Sequence, residues 1–140
     1  MSESLHLAVR TAHVLAMAVL VGGAATVWLS ARRQLDDCVA LAETYEWVFW
    51  GTLGALVATG VGNLGALGAP GPETRWGQML LAKLAVVALF VLASAVRTLA
   101  VARVGTGSSA AAIDWSERAY GLTTVALLGL VALAEVLAHG

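Results

Sequence analysis

Charged residues are scarce in this sequence, and their scarcity excludes most soluble folds. They make up 12% of the 140 residues, whereas hydrophobic residues make up 59% and the mean hydropathy is +0.83. Ordinary soluble domains carry about 25% charged residues. The net charge of −1 and the lack of any run of like charges also argue against a nucleic-acid partner. We therefore expect an integral membrane protein whose main surroundings are the lipid bilayer.

Cysteine is almost missing, and so is any sign of a cleaved leader. Cys38 is the only cysteine, which excludes an intramolecular disulfide and any paired-cysteine metal or redox motif. Residues 1–4 lack the positive charge that begins a cleaved signal peptide, and apolar sequence follows to about Leu29. We expect the first apolar segment to be retained as a membrane span.

Four long apolar segments account for most of the chain. They cover about residues 5–30, 47–67, 76–101 and 119–139, and each is long enough to cross a hydrocarbon core of ~30 Å as a helix. Helices satisfy backbone hydrogen bonds in lipid, and four segments cannot close a barrel. The connections between them are short. The sequence therefore predicts an all-α fold, a single domain over residues 1–140 that forms an integral membrane four-helix bundle with up-down-up-down topology.

The second segment also contains small residues at regular spacing. Gly54, Ala58 and Gly62 are four residues apart, a pattern that lets helix backbones approach closely in membranes. We expect this stripe to be a packing face.

The distribution of basic residues predicts the orientation of the bundle. Most of them flank the first and third connections: Arg32, Arg33, Arg97, Arg103 and Arg118. By the positive-inside rule these two connections are cytoplasmic. The sequence therefore predicts a multi-pass protein of the plasma membrane whose N- and C-termini are both extracytoplasmic.

Polar and ionisable residues recur in the part of each segment that is predicted to lie near the outer surface. They are His6, Arg10, His13 and Met17 on the first segment, Asn63 on the second, Met79 and Lys83 on the third, and Glu135 and His139 on the fourth. The spacing on the first segment places its four residues on one helix face. His13 and Lys83 each lie roughly 10 to 12 Å below the surface. Because ionisable groups at membrane depth are costly, we expect these residues to line one outward-opening pocket.

Six members of this set have a simple structural interpretation as well: His6, Arg10, Met17, Met79, Lys83 and His139. Polar residues near a helix end are solvated at little cost, long basic side chains extend to the interface, and methionines fill cores. His13 lies deeper, and a neutral imidazole there still needs a partner for its N–H and for its lone pair. His13 is therefore the strongest candidate for a functional residue.

The donor atoms of this pocket favour copper. Imidazole and thioether ligands select Cu(I) over hard cations. The candidate metal ligands are His6, His13, Met17, Met79 and His139, with Arg10, Asn63, Lys83 and Glu135 as supporting polar residues. Ligation by these groups would be transient enough to allow hand-over of the ion.

The charge of the pocket keeps two other interpretations open. With neutral imidazoles, Arg10, Lys83 and Glu135 give a net charge of +1, which suits a haem b whose iron binds His13 and whose propionates pair with Arg10 or Lys83. A structural or assembly subunit, in which polar groups pair across helices, is the third interpretation. The sequence offers no nucleophile, catalytic triad, phosphate-binding loop or paired carboxylates, so it gives little support to an enzyme that works without a cofactor.

One stretch of the sequence resembles a known family. Trp76-Gly77-Gln78-Met79-Leu80-Leu81-Ala82-Lys83-Leu84, the apolar helix that follows it to Arg97, and Glu117 resemble the copper resistance D (CopD-like) membrane domain, as does His13 with Gly22-Gly23. The resemblance covers the chain from Gly71 onward and part of the first segment. It implies copper transport, delivery or tolerance, and by family analogy an extracytoplasmic copper carrier as partner. An oligomer is compatible with it.

A more distant resemblance is to the HemJ-type protoporphyrinogen oxidase family, which implies a haem b site. His13 and Lys83 would be the residues carried over. This chain has Leu81 where those proteins tend to have a histidine just before the lysine, which lowers support for that oxidoreductase activity.

Overall fold

The computed structural model describes residues 3–67, 71, 73–104 and 109–139, with the side chains of residues 3, 6, 61–67, 104 and 136–139 left aside. Four α-helices of 30 residues each make up nearly all of this part of the chain: α1 (Glu3–Arg32), α2 (Cys38–Leu67), α3 (Arg75–Val104) and α4 (Ala110–His139). None of the described residues is in a strand. The predicted all-α four-helix fold is therefore confirmed.

The helices differ in how tightly they pack. α1 lies along both α2 and α4, whereas α3 touches α2 and α4 only lightly. Contacts between helix ends show that neighbours are antiparallel: His13 near the start of α1 contacts Thr59 near the end of α2, and Glu46 near the start of α2 contacts Arg97 near the end of α3. Most core residues lie on α1, α2 and α4, and Val101 is the buried residue that α3 adds. Most of the surface of α3 is therefore free to face lipid.

Within the described part of the chain, three helices have the length and apolar character of membrane spans. The candidate stretches are Leu7–Arg32, Arg75–Arg103 and Ala110–Glu135, and only 6% of the most apolar window of α3 is buried inside the protein. Large apolar side chains cover the outside of the bundle, as expected for a surface whose solvent is lipid. A membrane crossing by α2 stays a prediction.

The polar stretch at residues 31–46 is mostly helical, although the sequence predicts a connection there. Only residues 33–37 form the turn, and α2 begins at Cys38. Gln34 has a φ of 53°, and the amides of Gln34 and Leu35 bond back to the carbonyls of Ala31 and Ser30, which is the Schellman ending of α1. α4 likewise begins at Ala110 rather than near residue 119.

The added first turns of α2 are helical because they bury one face. Val39, Ala42, Tyr45 and Phe49 recur every three or four residues, and all four are buried. Glu43 and Thr44 are the polar residues between them. The polar residues made this stretch resemble a loop, but their spacing is that of an amphipathic helix.

Close helix contacts occur at other glycines than those predicted. A Cβ atom added at Gly54 would meet nothing within 4 Å, and the same holds for Gly51 and Gly60. A Cβ at Gly23 of α1 would instead lie 2.5 Å from Cε2 of the Tyr45 ring. Gly54 therefore does not pack closely against another helix of this bundle, because α2 meets α1 on the side that carries Tyr45. Gly62 lies outside the described side chains, so the rest of the predicted stripe stays a prediction.

Candidate functional site

His13 faces the interior of the bundle. Its Nδ1 atom lies 3.0 Å from Oγ1 of Thr59 on the neighbouring helix α2. The residue is half-buried, whereas Val14 and Leu15 beside it are about 60% exposed. The strongest candidate from the sequence thus points away from lipid and takes part in a contact between α1 and α2.

Other predicted site residues lie at the same end of the bundle. Met17, one turn after His13, is half-buried and packs against the core. Met79 on α3 is half-buried, and Lys83 one turn later is exposed with its charge within electrostatic range of His13. Arg10 and Glu135 are exposed.

The remaining members cannot be assigned a place in the site. The side chains of His6, Asn63 and His139 lie outside the described residues. Among the side chains that are described, no group of three or more His, Cys, Asp or Glu could hold a metal ion. A metal site built from the described part of the predicted set would therefore depend on methionine thioethers, and the convergence of the whole set in one pocket stays a prediction.

A second polar centre lies in the opposite half of the bundle, and sequence reasoning missed it. Glu46 of α2 and Arg97 of α3 form a buried ion pair, with 2.7 Å between Arg97 Nε and Glu46 Oε1 and 3.2 Å between Arg97 Nη2 and Glu46 Oε2. Their side chains are only 6% and 5% exposed. The two-point contact is the fork geometry that makes arginine–carboxylate pairs strong.

Three hydroxyl groups from α3 and α4 complete this centre. Tyr120 of α4 donates a hydrogen bond to Glu46 Oε1 at 2.6 Å, and Thr98 of α3 donates to Oε2 at 2.5 Å. Arg97 Nη1 donates to Oγ1 of Thr123 at 2.9 Å. We call these five residues the inner ionic network. It satisfies both charges and ties α2, α3 and α4 together.

Aromatic rings enclose the guanidinium of this network. The Arg97 Cζ atom lies 4.5 Å from the centre of the Phe49 ring, 5.2 Å from that of Tyr120 and 5.8 Å from that of Tyr45. Ring faces attract a cation and exclude water. The guanidinium of Arg97 is thus held inside the bundle by a carboxylate and three aromatic rings.

The sequence does contain a signal for this pair. Glu46 lies eight residues after the first residue of α2, and Arg97 lies seven residues before the last residue of α3. Opposite charges at matching depth on consecutive antiparallel helices are candidates for pairing. The predicted spans leave Glu46 in the first connection and Arg97 beside the third, which hides this match in depth.

An open groove borders the inner ionic network between α2 and α3. Its volume is about 420 Å³, and it is lined by Glu43, Glu46, Trp47, Trp50, Thr98, Val101 and Ala102. Another groove, of about 260 Å³, has an apolar lining from α3 and α4. Neither lining includes His13, so these grooves are separate from the predicted outer site.

A family model matches most of this chain. The model described as "Copper resistance protein D" matches residues 39–137. No curated protein and no solved structure matches the chain. The matched region contains the whole inner ionic network together with Met79, Lys83 and Glu135, and it begins after His13 and Met17. The family expected from the sequence is confirmed, although the match includes α2 and leaves out α1.

Proposed function

This chain belongs to the copper resistance protein D family of membrane proteins, and from that membership we propose that it transports or delivers copper across the plasma membrane. In this proposal the ion is cargo and binds transiently at the extracytoplasmic end of the bundle. The ligands are the imidazole of His13 and the thioether of Met17, joined by Met79, His6 and His139. The first and third connections face the cytoplasm, as the basic residues indicate.

The inward position of His13 carries the proposal. An imidazole at this depth that faced lipid would be of no use to an ion, whereas this one is half-buried and contacts Thr59 through Nδ1. The contact leaves Nε2 as the nitrogen that can ligate. Met17 follows one helical turn deeper on the same face, so a bound ion could pass from nitrogen to sulfur along α1.

The chemistry of these donors fits Cu(I) as cargo. Imidazole and thioether are soft or borderline ligands that bind Cu(I) without the trapping effect of paired thiolates. The positive charge of Lys83 near His13 weakens the binding of any cation. Weak binding is useful for a carrier, because an ion held too tightly would not leave. Glu135 provides negative charge at the same end, and an extracytoplasmic copper carrier would supply the ion.

Copper binding by the purified protein tests this function. The double variant His13→Ala, Met17→Ala should lose at least tenfold in Cu(I) affinity, measured anaerobically in detergent by competition with a chromogenic Cu(I) chelator. Leu15→Ala is the matched control, since Leu15 lies between these residues on α1 but is 61% exposed. Unchanged Cu(I) affinity in a folded double variant would overturn the proposal.

The same preparations distinguish the alternatives that the sequence left open. A Soret absorption band in protein from haem-replete cells, lost on His13→Ala, would assign haem b in place of copper, with Arg10 and Lys83 near the propionates. Loss of folding without any change in ligand content, when Lys83 and Glu135 are each neutralised, would assign a structural subunit. The copper proposal predicts a protein without a Soret band. It also predicts that the Lys83 and the Glu135 variants both stay folded.

A further inference from the structure

Thr59 has more hydrogen-bond partners than its single hydroxyl hydrogen can serve. Its Oγ1 lies 2.9 Å from the carbonyl oxygen of Ala55, 3.0 Å from that of Leu56 and 3.0 Å from Nδ1 of His13. Carbonyl oxygens can only accept hydrogen bonds, whereas the imidazole nitrogen can accept or donate. The distribution of hydrogens among these atoms therefore decides the protonation pattern of His13.

The hydroxyl group of Thr59 directs its hydrogen at the carbonyl oxygens of Ala55 and Leu56. A threonine inside a membrane helix commonly donates to the carbonyl one turn earlier, because no water is available to the hydroxyl. With its hydrogen directed at Ala55 or Leu56, the Oγ1 atom of Thr59 offers only lone pairs to the neighbouring helix. His13 must then donate its own hydrogen from Nδ1 to Thr59.

A neutral imidazole with its hydrogen on Nδ1 has a lone pair on Nε2. In the opposite arrangement Thr59 would donate to Nδ1, and the ring hydrogen on Nε2 would block metal binding there. Among the described side chains, none hydrogen-bonds Nε2 of His13. An unprotonated Nε2 is the form that binds a metal.

We propose that Thr59 is a positioning residue that holds His13 in the Nδ1–H tautomer and so makes Nε2 the copper-binding atom. As a statement about copper, this rests on the proposed function. The arrangement has the physical logic of other metal-binding histidines, whose second ring nitrogen donates to an oxygen that fixes the tautomer and the ring orientation. Here that oxygen comes from a different helix, so copper affinity depends on the packing of α1 against α2.

Two substitutions of Thr59 test this role, one that removes the hydroxyl group and one that keeps it. Thr59→Val keeps the shape of the side chain without its oxygen, and Thr59→Ser keeps the oxygen without the methyl group. Loss of the group that hydrogen-bonds the second nitrogen of a metal-binding histidine typically reduces metal affinity by about 10- to 100-fold. We expect Cu(I) affinity to fall by this factor in Thr59→Val and to return to within about threefold of the original in Thr59→Ser. Thr52→Val, also half-buried on α2, is the matched control and should bind as the original chain does.

A measurement without copper gives an independent readout of the tautomer. In copper-free protein with ¹⁵N-labelled histidine, the shifts of Nδ1 and Nε2 identify which nitrogen carries the hydrogen, and the His13→Ala spectrum assigns the signal. We expect hydrogen on Nδ1 of His13 in the original chain and a mixture of tautomers in Thr59→Val. A hydrogen on Nε2 in the original chain would overturn the inference.

The two proposals fail in different ways. If His13→Ala weakens copper binding but Thr59→Val does not, the role of Thr59 is wrong and the copper function stands. If copper binding is indifferent to His13, the function proposed above fails, and the role of Thr59 in copper binding fails with it. The ¹⁵N shifts would then still report whether Thr59 sets the tautomer of the imidazole.

Discussion

At the scale of single residues, Glu46 is the side chain on which the inner ionic network depends. Its two carboxylate oxygens accept four hydrogen bonds from Arg97, Thr98 and Tyr120. A buried pair of charges is tolerated only when such bonds replace the lost hydration, and removal of one partner leaves the other charge uncompensated. Replacement of one charged partner of the inner ionic network should therefore destabilise the protein more than replacement of both.

Neutralisation of Glu46 should destabilise the protein strongly. Breaking a buried ion pair by changing one partner costs about 3–5 kcal/mol, so we expect Glu46→Gln to lower the free energy of unfolding by an amount of that order. Denaturation in mixed micelles of increasing sodium dodecyl sulfate content, followed by circular dichroism, measures it. Glu43→Gln is the control, since Glu43 is half-buried on the same helix and lies at the rim of the groove; it should change stability by less than about 1 kcal/mol.

A variant in which both charged residues are replaced distinguishes the effect of the charges from the effect of side-chain volume. The double variant Glu46→Leu, Arg97→Met removes both charges and fills the space with apolar side chains, which is often neutral for stability. We expect it to be more stable than Glu46→Gln. Equal stability of Glu46→Gln and the original chain would contradict the account of the network as a fully satisfied buried pair.

At the scale of helices, the contact of α1 with α2 depends on a glycine. Tyr45 of α2 donates a hydrogen bond to the carbonyl oxygen of Leu20 on α1 at 2.8 Å, and its ring passes over Gly23. Any side chain at Gly23 would collide with this ring. The glycine is needed for the close approach of the two helices, and the approach in turn brings His13 to Thr59.

Adding one methyl group at Gly23 should loosen this contact. We expect Gly23→Ala to destabilise the protein by about 1–3 kcal/mol, the usual range for overpacking, and to weaken Cu(I) binding because the ring of Tyr45 must move. Gly22→Ala is a close control, since an added Cβ at Gly22 meets nothing within 4 Å, and it should be neutral or slightly stabilising. The micelle denaturation described above measures both variants, and equal stability of the two would contradict the assigned contact.

The sequence predicts the helices better than their contacts. Length and apolar composition are properties of one segment, so four helices could be predicted from residue types alone. The pairing of Glu46 with Arg97, and the approach of Gly23 to Tyr45, depend on the relative rotation of two helices, which a single sequence does not encode locally. His13 was found because its depth can be counted along one helix. Thr59 does not stand out in the sequence, since its role depends on a residue of the opposite helix.

At the scale of the whole molecule, the two polar centres lie in opposite halves of one bundle. The half predicted to be extracytoplasmic contains His13, Met17 and Met79. The other half contains the guanidinium of Arg97 beside the rings of Phe49, Tyr45 and Tyr120. The charge of this guanidinium is compensated by the carboxylate of Glu46. The inner ionic network therefore joins helices, whereas the proposed copper ligands belong to the other end of the bundle.

The orientation of the molecule in the membrane decides whether the His13 end faces the outside of the cell. Thiol labelling tests this orientation. Cys38 is fully buried, and burial raises the pKa of its thiol, so little thiolate exists at neutral pH and the original chain should label slowly, faster as pH rises. On a Cys38→Ala background, Glu73→Cys places a thiol between α2 and α3, and Leu35→Cys places one in the exposed turn before α2. In intact cells a membrane-impermeant maleimide should label Glu73→Cys at once and Leu35→Cys only after permeabilisation. The reverse pattern would put the His13 end, and with it the proposed copper site, on the cytoplasmic side. Labelling of both thiols from outside would rule out the four-span topology.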